Sequence, residues 1–124
     1  MDIINSDQAP KAIGPYSQAV RVGNVIYTSG QIGLDPATGS LVEGDFAAQV
    51  RRVFENMKAV LAAAGISFSN VIKATVYVTD LANFATLNEI YASYFGDTKP
   101  ARSTVGVAQL PKGALVEIDL IAVV

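Results

Sequence analysis

The run Lys99-Pro100-Ala101-Arg102-Ser103-Thr104-Val105-Gly106-Val107 puts a guanidinium at the start of an apolar strand, immediately after a proline-led turn. Arginine grips carboxylates through two parallel hydrogen bonds in a fixed fork, and a strand end that fixes its backbone pre-orients that fork. Taken alone, such a residue is a surface cation in a weak ion pair. Its company is what points to chemistry. Over residues 115–124, Glu117 and Asp119 interrupt an otherwise apolar strand pattern. Carboxylates in such a setting are rarely buried unless they are paired or used. Two apart on a strand, they share a sheet face, and either can meet Arg102 if its strand is the neighbour. The pattern fits a structural salt bridge and one half of a carboxylate-binding site equally well.

The rest of the composition narrows the chemistry. Histidine and cysteine are both absent, which removes disulfides, Ser-His and Cys-His nucleophile pairs and the usual zinc ligands. No metal site is expected, and any reaction must run on carboxylates, hydroxyls, Arg, Lys and backbone groups. The net charge is -2 and the nine Lys and Arg are scattered, so nothing attracts a phosphate backbone and nucleic-acid binding is unsupported. No run approaches the ~18 apolar residues of a membrane span, and Met1-Asp2 does not open a basic leader. A cytoplasmic protein without membrane association is the expectation. At 124 residues, a single domain over 1–124 is expected. Apolar residues make up 51% and charged residues only 16%, an apolar excess that suggests surface buried between subunits.

The elements that must position these groups follow from period and punctuation. Ile3 and Ile4 start a short strand. Residues 15–22 and 25–32 flank Gly23-Asn24, a two-residue turn of the kind favoured in hairpins. Gly30 inside the second of these strands marks a bulge, a close approach by ligand or backbone, or simply the strand end. A helix is expected over residues 45–64, with Asp45 as cap and Gly65 as stop. Phe46, Val50, Val53, Phe54, Met57, Val60, Leu61 and Ala64 form its apolar face, and Arg51, Arg52, Glu55 and Lys58 its solvated one. Residues 69–79 are β-branched and apolar enough for a central strand. Residues 80–83 cap a second helix whose stripe is Phe84, Leu87, Ile90, Tyr91, Tyr94 and Phe95, taken as core, with Asn88 and Glu89 off it and Gly96 as stop. The Arg102 strand and the last strand are joined by a turn at residues 110–113. The order β-β-β-α-β-α-β-β predicts an α+β domain with two helices over one face of a single sheet. The opposite, largely apolar face then needs a cover, and copies of the same chain are the simple solution.

Several segments together resemble one family. Gly14-Pro15-Tyr16-Ser17-Gln18-Ala19, Thr28-Ser29-Gly30-Gln31-Ile32, Asn88-Glu89-Ile90-Tyr91, Pro100-Ala101-Arg102-Ser103 and Val116-Glu117-Ile118 occur in the order and spacing of the RidA (YjgF) family, the reactive intermediate deaminases. The resemblance spans essentially the whole chain. It implies a chorismate-mutase-like α+β fold, with about six strands and two helices on one sheet face, assembled as a barrel-forming homotrimer with clefts between neighbouring subunits. It implies hydrolysis of 2-imino acids (2-iminobutanoate, 2-iminopropanoate) to 2-keto acids and ammonia, with no cofactor. These imines are tautomers of enamines released by pyridoxal-phosphate-dependent dehydratases. By the same resemblance Arg102 matches the arginine that holds the substrate carboxylate, and Glu117 matches the acid that positions or activates water. Tyr16, Ser29, Gly30 and Asn88 match positions lining the cleft. Thr104 stands where many members carry cysteine and is counted with the substrate-binding residues, since that position is thought to act through its backbone. Two other activities stay in view. One is a regulatory module binding small carboxylates without turnover. The other is the ribonuclease or translation inhibition attributed to some relatives, against which the acidic balance and missing histidine argue.

Overall fold

A computed structural model describes residues 1–124. Six strands form one mixed sheet: β1 (Asp2–Ile4), β2 (Ala19–Val22), β3 (Val25–Thr28), β4 (Val71–Val78), β5 (Ala101–Gly106) and β6 (Val116–Val123). Two helices, α1 (Phe46–Ala63) and α2 (Phe84–Phe95), complete the order expected from the sequence. Across the sheet the order is β1-β2-β3-β6-β4-β5. The last strand therefore inserts between β3 and β4, antiparallel to both, and β5 lies at the edge, parallel to β4.

Each helix forms where its ends are marked. The Asp45 carboxylate caps α1 by accepting from the Ala48 amide at 3.0 Å, and Gly65 follows the last turn at φ +76°. The α1 side chains from Phe46 through Leu61 that share the apolar face are buried, each worth roughly 1.5–3 kcal/mol of transfer free energy. They meet Ala74, Val76 and Val78 of β4 and Val116, Ile118, Leu120 and Ala122 of β6 in the main core. The face is not wholly apolar. Asn56 is fully buried, its amide donating to the Leu34 carbonyl at 2.9 Å while its oxygen accepts from Arg52 Nε at 3.0 Å. Gln49 accepts from the Leu115 amide at 2.9 Å. These two residues tie α1 to the segment after β3 and to the entry of β6.

Several local expectations are corrected. Residues 15–18 do not extend β2, because the buried Gln18 side chain turns back on the preceding segment. It accepts from the Ser6 amide at 2.7 Å and donates to the Pro10 carbonyl at 2.9 Å. The Asp80 side chain caps a 3₁₀ turn, Leu81–Asn83, and not α2 itself. Phe84, placed in the core stripe, is 42% exposed because it opens α2 at the sheet margin, beside Arg102.

The hairpin turns at Gly23, φ +61°, with Val22 paired to Val25. Beyond Thr28 the second strand breaks. Tyr27 pairs with Ile121 and Gln31 with Ile118, so four steps on one chain answer three on the other, which is a bulge around Ser29 and Gly30. The Leu120 amide at this interruption donates to Thr28 Oγ1 at 2.9 Å. Both helices cover one sheet face. The opposite face is open and mixed: Ile3, Val22, Tyr27, Ile72 and Val105 are exposed there, while Glu117, Asp119, Thr75, Tyr77 and Lys73 supply polar groups. No helix is long and apolar enough to cross a membrane.

Candidate active site

Arg102 enters β5 opposite Ala74, a residue wholly buried beneath the helices. Cross-strand partners share a face, so the Arg102 side chain leaves the sheet on the helix side. There α2 presents Phe84, Asn88 and Tyr91 at positions i, i+4 and i+7, one surface row of the helix. Arg102 Cζ lies 4.7 Å from the Tyr91 ring centroid and 5.4 Å from that of Phe84, and its Nη1 donates to Asn88 Oδ1 at 2.8 Å. Stacking and one hydrogen bond hold the guanidinium while other donors stay available for a ligand. Burial raises the Tyr91 phenol above its usual range, with the Arg102 charge opposing. Two residues along the same face, the Thr104 hydroxyl is buried with no hydrogen-bond partner, as is that of Tyr91.

Glu117 lies elsewhere. It pairs with Tyr77 on β4 and projects from the open sheet face. The expectation that Glu117 or Asp119 could meet Arg102 on a neighbouring strand is therefore corrected twice over: β4 intervenes, and the side chains leave opposite faces. Glu117 sits instead against the backbone of Gly30. A Cβ built on Gly30 would fall 2.8 Å from Glu117 Cδ, so only glycine leaves the carboxylate this place. Gly30 thus serves as both bulge and close approach. Burial, and secondarily the Asp119 charge, push the Glu117 carboxyl above the ordinary carboxylate range. Asp119 is also raised by burial, with the Tyr77 phenol acting in the opposite direction by hydrogen bonding to it.

Tyr16, Ser29, Gly30 and Glu117 come together around one cavity of about 370 Å³, whose apolar wall includes Ile13, Ile32 and Leu34. Tyr16 Oη accepts from the Ile13 amide at 3.3 Å, and Ser29 Oγ donates to the Ser17 carbonyl at 2.6 Å. The seven site residues expected from the sequence therefore divide into two sets within one chain. Tyr16, Ser29, Gly30 and Glu117 line the cavity, while Arg102, Asn88 and Thr104 lie under or beside α2. Sequence reasoning missed the flanking role of Phe84 and Tyr91, although their spacing with Asn88 carries it. It also missed Lys11, a cation at the cavity rim. No group of three or more Asp and Glu side chains is placed to hold a metal ion.

Comparison with known proteins assigns the family. The sequence profile described as "Endoribonuclease L-PSP" matches residues 6–124. The chain belongs to the RidA (YjgF) family. It is 60% identical to protein DfrA of Myxococcus xanthus over 122 residues, 97% of this chain and 93% of that protein. It is 50% identical to the human 2-iminobutanoate/2-iminopropanoate deaminase over 121 residues, 98% of this chain and 88% of the relative. Among solved structures, E. coli TdcF with bound serine superposes with a TM-score of 0.95 at 46% identity, covering 100% of this chain and 99% of that one. The fold described above is that of the RidA family.

Proposed function

We propose that this protein hydrolyses 2-imino acids such as 2-iminobutanoate and 2-iminopropanoate to 2-keto acids and ammonia, without a cofactor. The observation that carries this reading is the state of Arg102: packed over the Tyr91 and Phe84 rings and fixed by Asn88, with donors left for a small carboxylate. The deaminase relatives at about 50% identity support the reaction class. The serine bound to TdcF supports a site of amino-acid size.

Since Arg102 and Glu117 leave opposite faces of one sheet, a site using both needs two subunits. The reading therefore includes the homotrimer, with each site between neighbours: the open face of one chain is covered by the next. Arg102 of one subunit holds the carboxylate, a contact worth ~2–5 kcal/mol when desolvated. Glu117 of the other orients water at the imine carbon. The water oxygen bonds to that carbon as the C=N electron pair moves to nitrogen, and the water proton passes to the Glu117 carboxylate. That proton then goes to the nitrogen of the carbinolamine. The C–N bond breaks with its electron pair leaving on ammonia, the hydroxyl oxygen becomes the ketone oxygen, and its proton returns to Glu117 and then to ammonia. An iminium carbon is electrophilic enough to need no covalent nucleophile, which suits a chain without Cys or His. Glu117 as general base supplies ~10²-fold or more. The substrate would reach the enzyme from a pyridoxal-phosphate-dependent dehydratase acting on serine or threonine, in the cytoplasm.

The test is ammonia or keto-acid release from an imine generated in situ by a threonine dehydratase, with semicarbazide as trap, comparing the parent with Arg102→Ala. Acceleration by the parent alone is expected. Equal acceleration by both sinks the carboxylate grip. Keto-acid binding without acceleration would identify a regulatory module that senses small carboxylates.

A further inference from the structure

Tyr16 lies on a segment that belongs to no strand or helix. Residues 5–17 run between β1 and β2, and Pro10, Lys11, Ala12, Ile13 and Tyr16 of this segment form one side of the cavity that holds Glu117. Residues 11–16 are exposed, so apolar burial does little to hold them. No backbone-to-backbone hydrogen bond joins residues 5–17 to the rest of the chain. An irregular segment that walls a cavity must then take its fixed shape from side chains.

The side chain that supplies it is Gln18, only 2% exposed. Its Oε1 accepts from the Ser6 amide at 2.7 Å, and its Nε2 donates to the Ser6 carbonyl at 3.1 Å and to the Pro10 carbonyl at 2.9 Å. Both amide hydrogens and one lone pair of the oxygen are thereby used. Ala9, also 2% exposed, seats this end of the segment in the main core. The other end is tied by Ser29, whose amide donates to the Gln18 carbonyl at 2.9 Å and whose Oγ donates to the Ser17 carbonyl at 2.6 Å. Between the tied ends, Tyr16 Oη accepts from the Ile13 amide at 3.3 Å.

We infer that Gln18 is a positioning residue for the reaction: by hanging Ser6 and Pro10 from one buried amide, it fixes the 5–17 segment, with Ile13 and Tyr16, as a pre-formed wall of the substrate cavity. The inference deepens the hydrolase reading above, and only its kinetic arm rests on that reading. Arg102 and Glu117 stand on β5 and β6 and do not hang from this amide.

Without the Gln18 amide, the Ser6 amide and the Ser6 and Pro10 carbonyls regain partners only by meeting water, which lifts the segment off the cavity. Where the binding-competent arrangement is a fraction of the population, apparent affinity falls by that fraction. One neutral hydrogen bond is worth about fivefold, so losing all those that act on one segment lowers the competent fraction on the order of tenfold. The loss falls on binding. Molecules that do bind substrate still carry Arg102 and Glu117 in place, so kcat is little changed.

Gln18→Met keeps the side chain near its original size and removes all of these bonds. Imine hydrolysis, calorimetric binding of 2-ketobutanoate and amide hydrogen exchange are measured on the assembled parent and on this variant. Leu61→Ala, a main-core truncation that destabilises the chain without touching the segment, is the control, at a temperature where all are folded. In Gln18→Met, KM and the 2-ketobutanoate dissociation constant are expected to rise on the order of tenfold with kcat little changed. Both constants stay at the parent values in Leu61→Ala. The Ser6 amide, protected in the parent, exchanges freely in Gln18→Met while the Val76 amide of β4 stays protected. Unchanged constants in Gln18→Met, or an equal rise in Leu61→Ala, overturn the inference. If Gln18→Met does not fold, the parent decides: a Ser6 amide that exchanges at the free-chain rate overturns the inference, and a protected one supports it. If the parent hydrolyses no imine, the hydrolase reading fails, and the 2-ketobutanoate affinities and Ser6 exchange still decide the role of Gln18.

Discussion

Replacing Gly30 with alanine should damage activity far more than stability, and the reason is local geometry. The backbone at Gly30 is not in the left-handed region, so alanine meets no conformational penalty there. The new methyl would, however, lie 2.8 Å from Glu117 Cδ and 3.0 Å from Cγ, and closer still to Oε2. To reach an ordinary contact of 3.4 Å, Cδ must retreat by about 0.6 Å and the carboxylate oxygen by more. Since the obstacle is the end of a flexible side chain beside a cavity of about 370 Å³, Glu117 can swing aside at an off-rotamer cost of order 0.5–1.5 kcal/mol. A misplacement approaching 1 Å of a group that must address a bound water is another matter, costing on the order of 10²-fold in rate. Thermal unfolding together with kcat/KM for imine hydrolysis separates the two: a small fall in Tm beside a roughly hundredfold fall in kcat/KM is expected. Activity within threefold of the parent would refute the idea that Gly30 sets the position of Glu117.

Other perturbations have equally definite outcomes. Asn88→Ala removes the acceptor 2.8 Å from Arg102 Nη1; because the pair is only part-buried, about 1 kcal/mol of carboxylate binding is expected to go, seen as a several-fold rise in KM with kcat nearly intact. The raised Glu117 carboxyl means that the folded state holds its proton above the pH at which the unfolded chain releases it. Stability falls as pH rises through that window, and catalysis, which needs the carboxylate, is lost as pH falls through the same raised value. Glu117→Gln should therefore abolish hydrolysis while leaving Tm at pH 7 equal to or above that of the parent, checked by calorimetry on both proteins. Asn56→Ala strands the buried Leu34 carbonyl and leaves a small void, so denaturant titration should show a loss of about 2–3 kcal/mol.

Much of this architecture was legible locally. Asp45 and Gly65 bracket α1 through backbone chemistry that any helix end obeys, and the Gly23-Asn24 turn needed nothing beyond its neighbours. Gly30 left three readings open, a bulge, a close approach or the strand end; β3 stops at Thr28, and the bulge and the approach of Glu117 both fall at Gly30. What was not legible depends on sheet order. Nothing within residues 115–124 says that this last strand slots between β3 and β4, and so nothing said that β4 would separate Arg102 from Glu117. The parity that sends the two side chains to opposite faces follows from register, a long-range property. Asn56 and Gln49 escaped notice because an apolar stripe tolerates buried amides when loop carbonyls and amides come to meet them. Phe84 and Tyr91 fitted a helical core stripe, and only the placement of β5 made them flank a cation.

The most direct measurement mixes two inactive variants. Arg102→Ala and Glu117→Gln are purified separately, combined in equal amounts under conditions that exchange subunits, and assayed for imine hydrolysis. If Arg102 from one subunit works with Glu117 from its neighbour, random exchange in a cyclic assembly gives an intact pair at about one site in four. The mixture should then recover about a quarter of the parent activity. If no activity returns although mass spectrometry shows mixed assemblies, the two residues do not act across a subunit boundary and the account of the site is wrong.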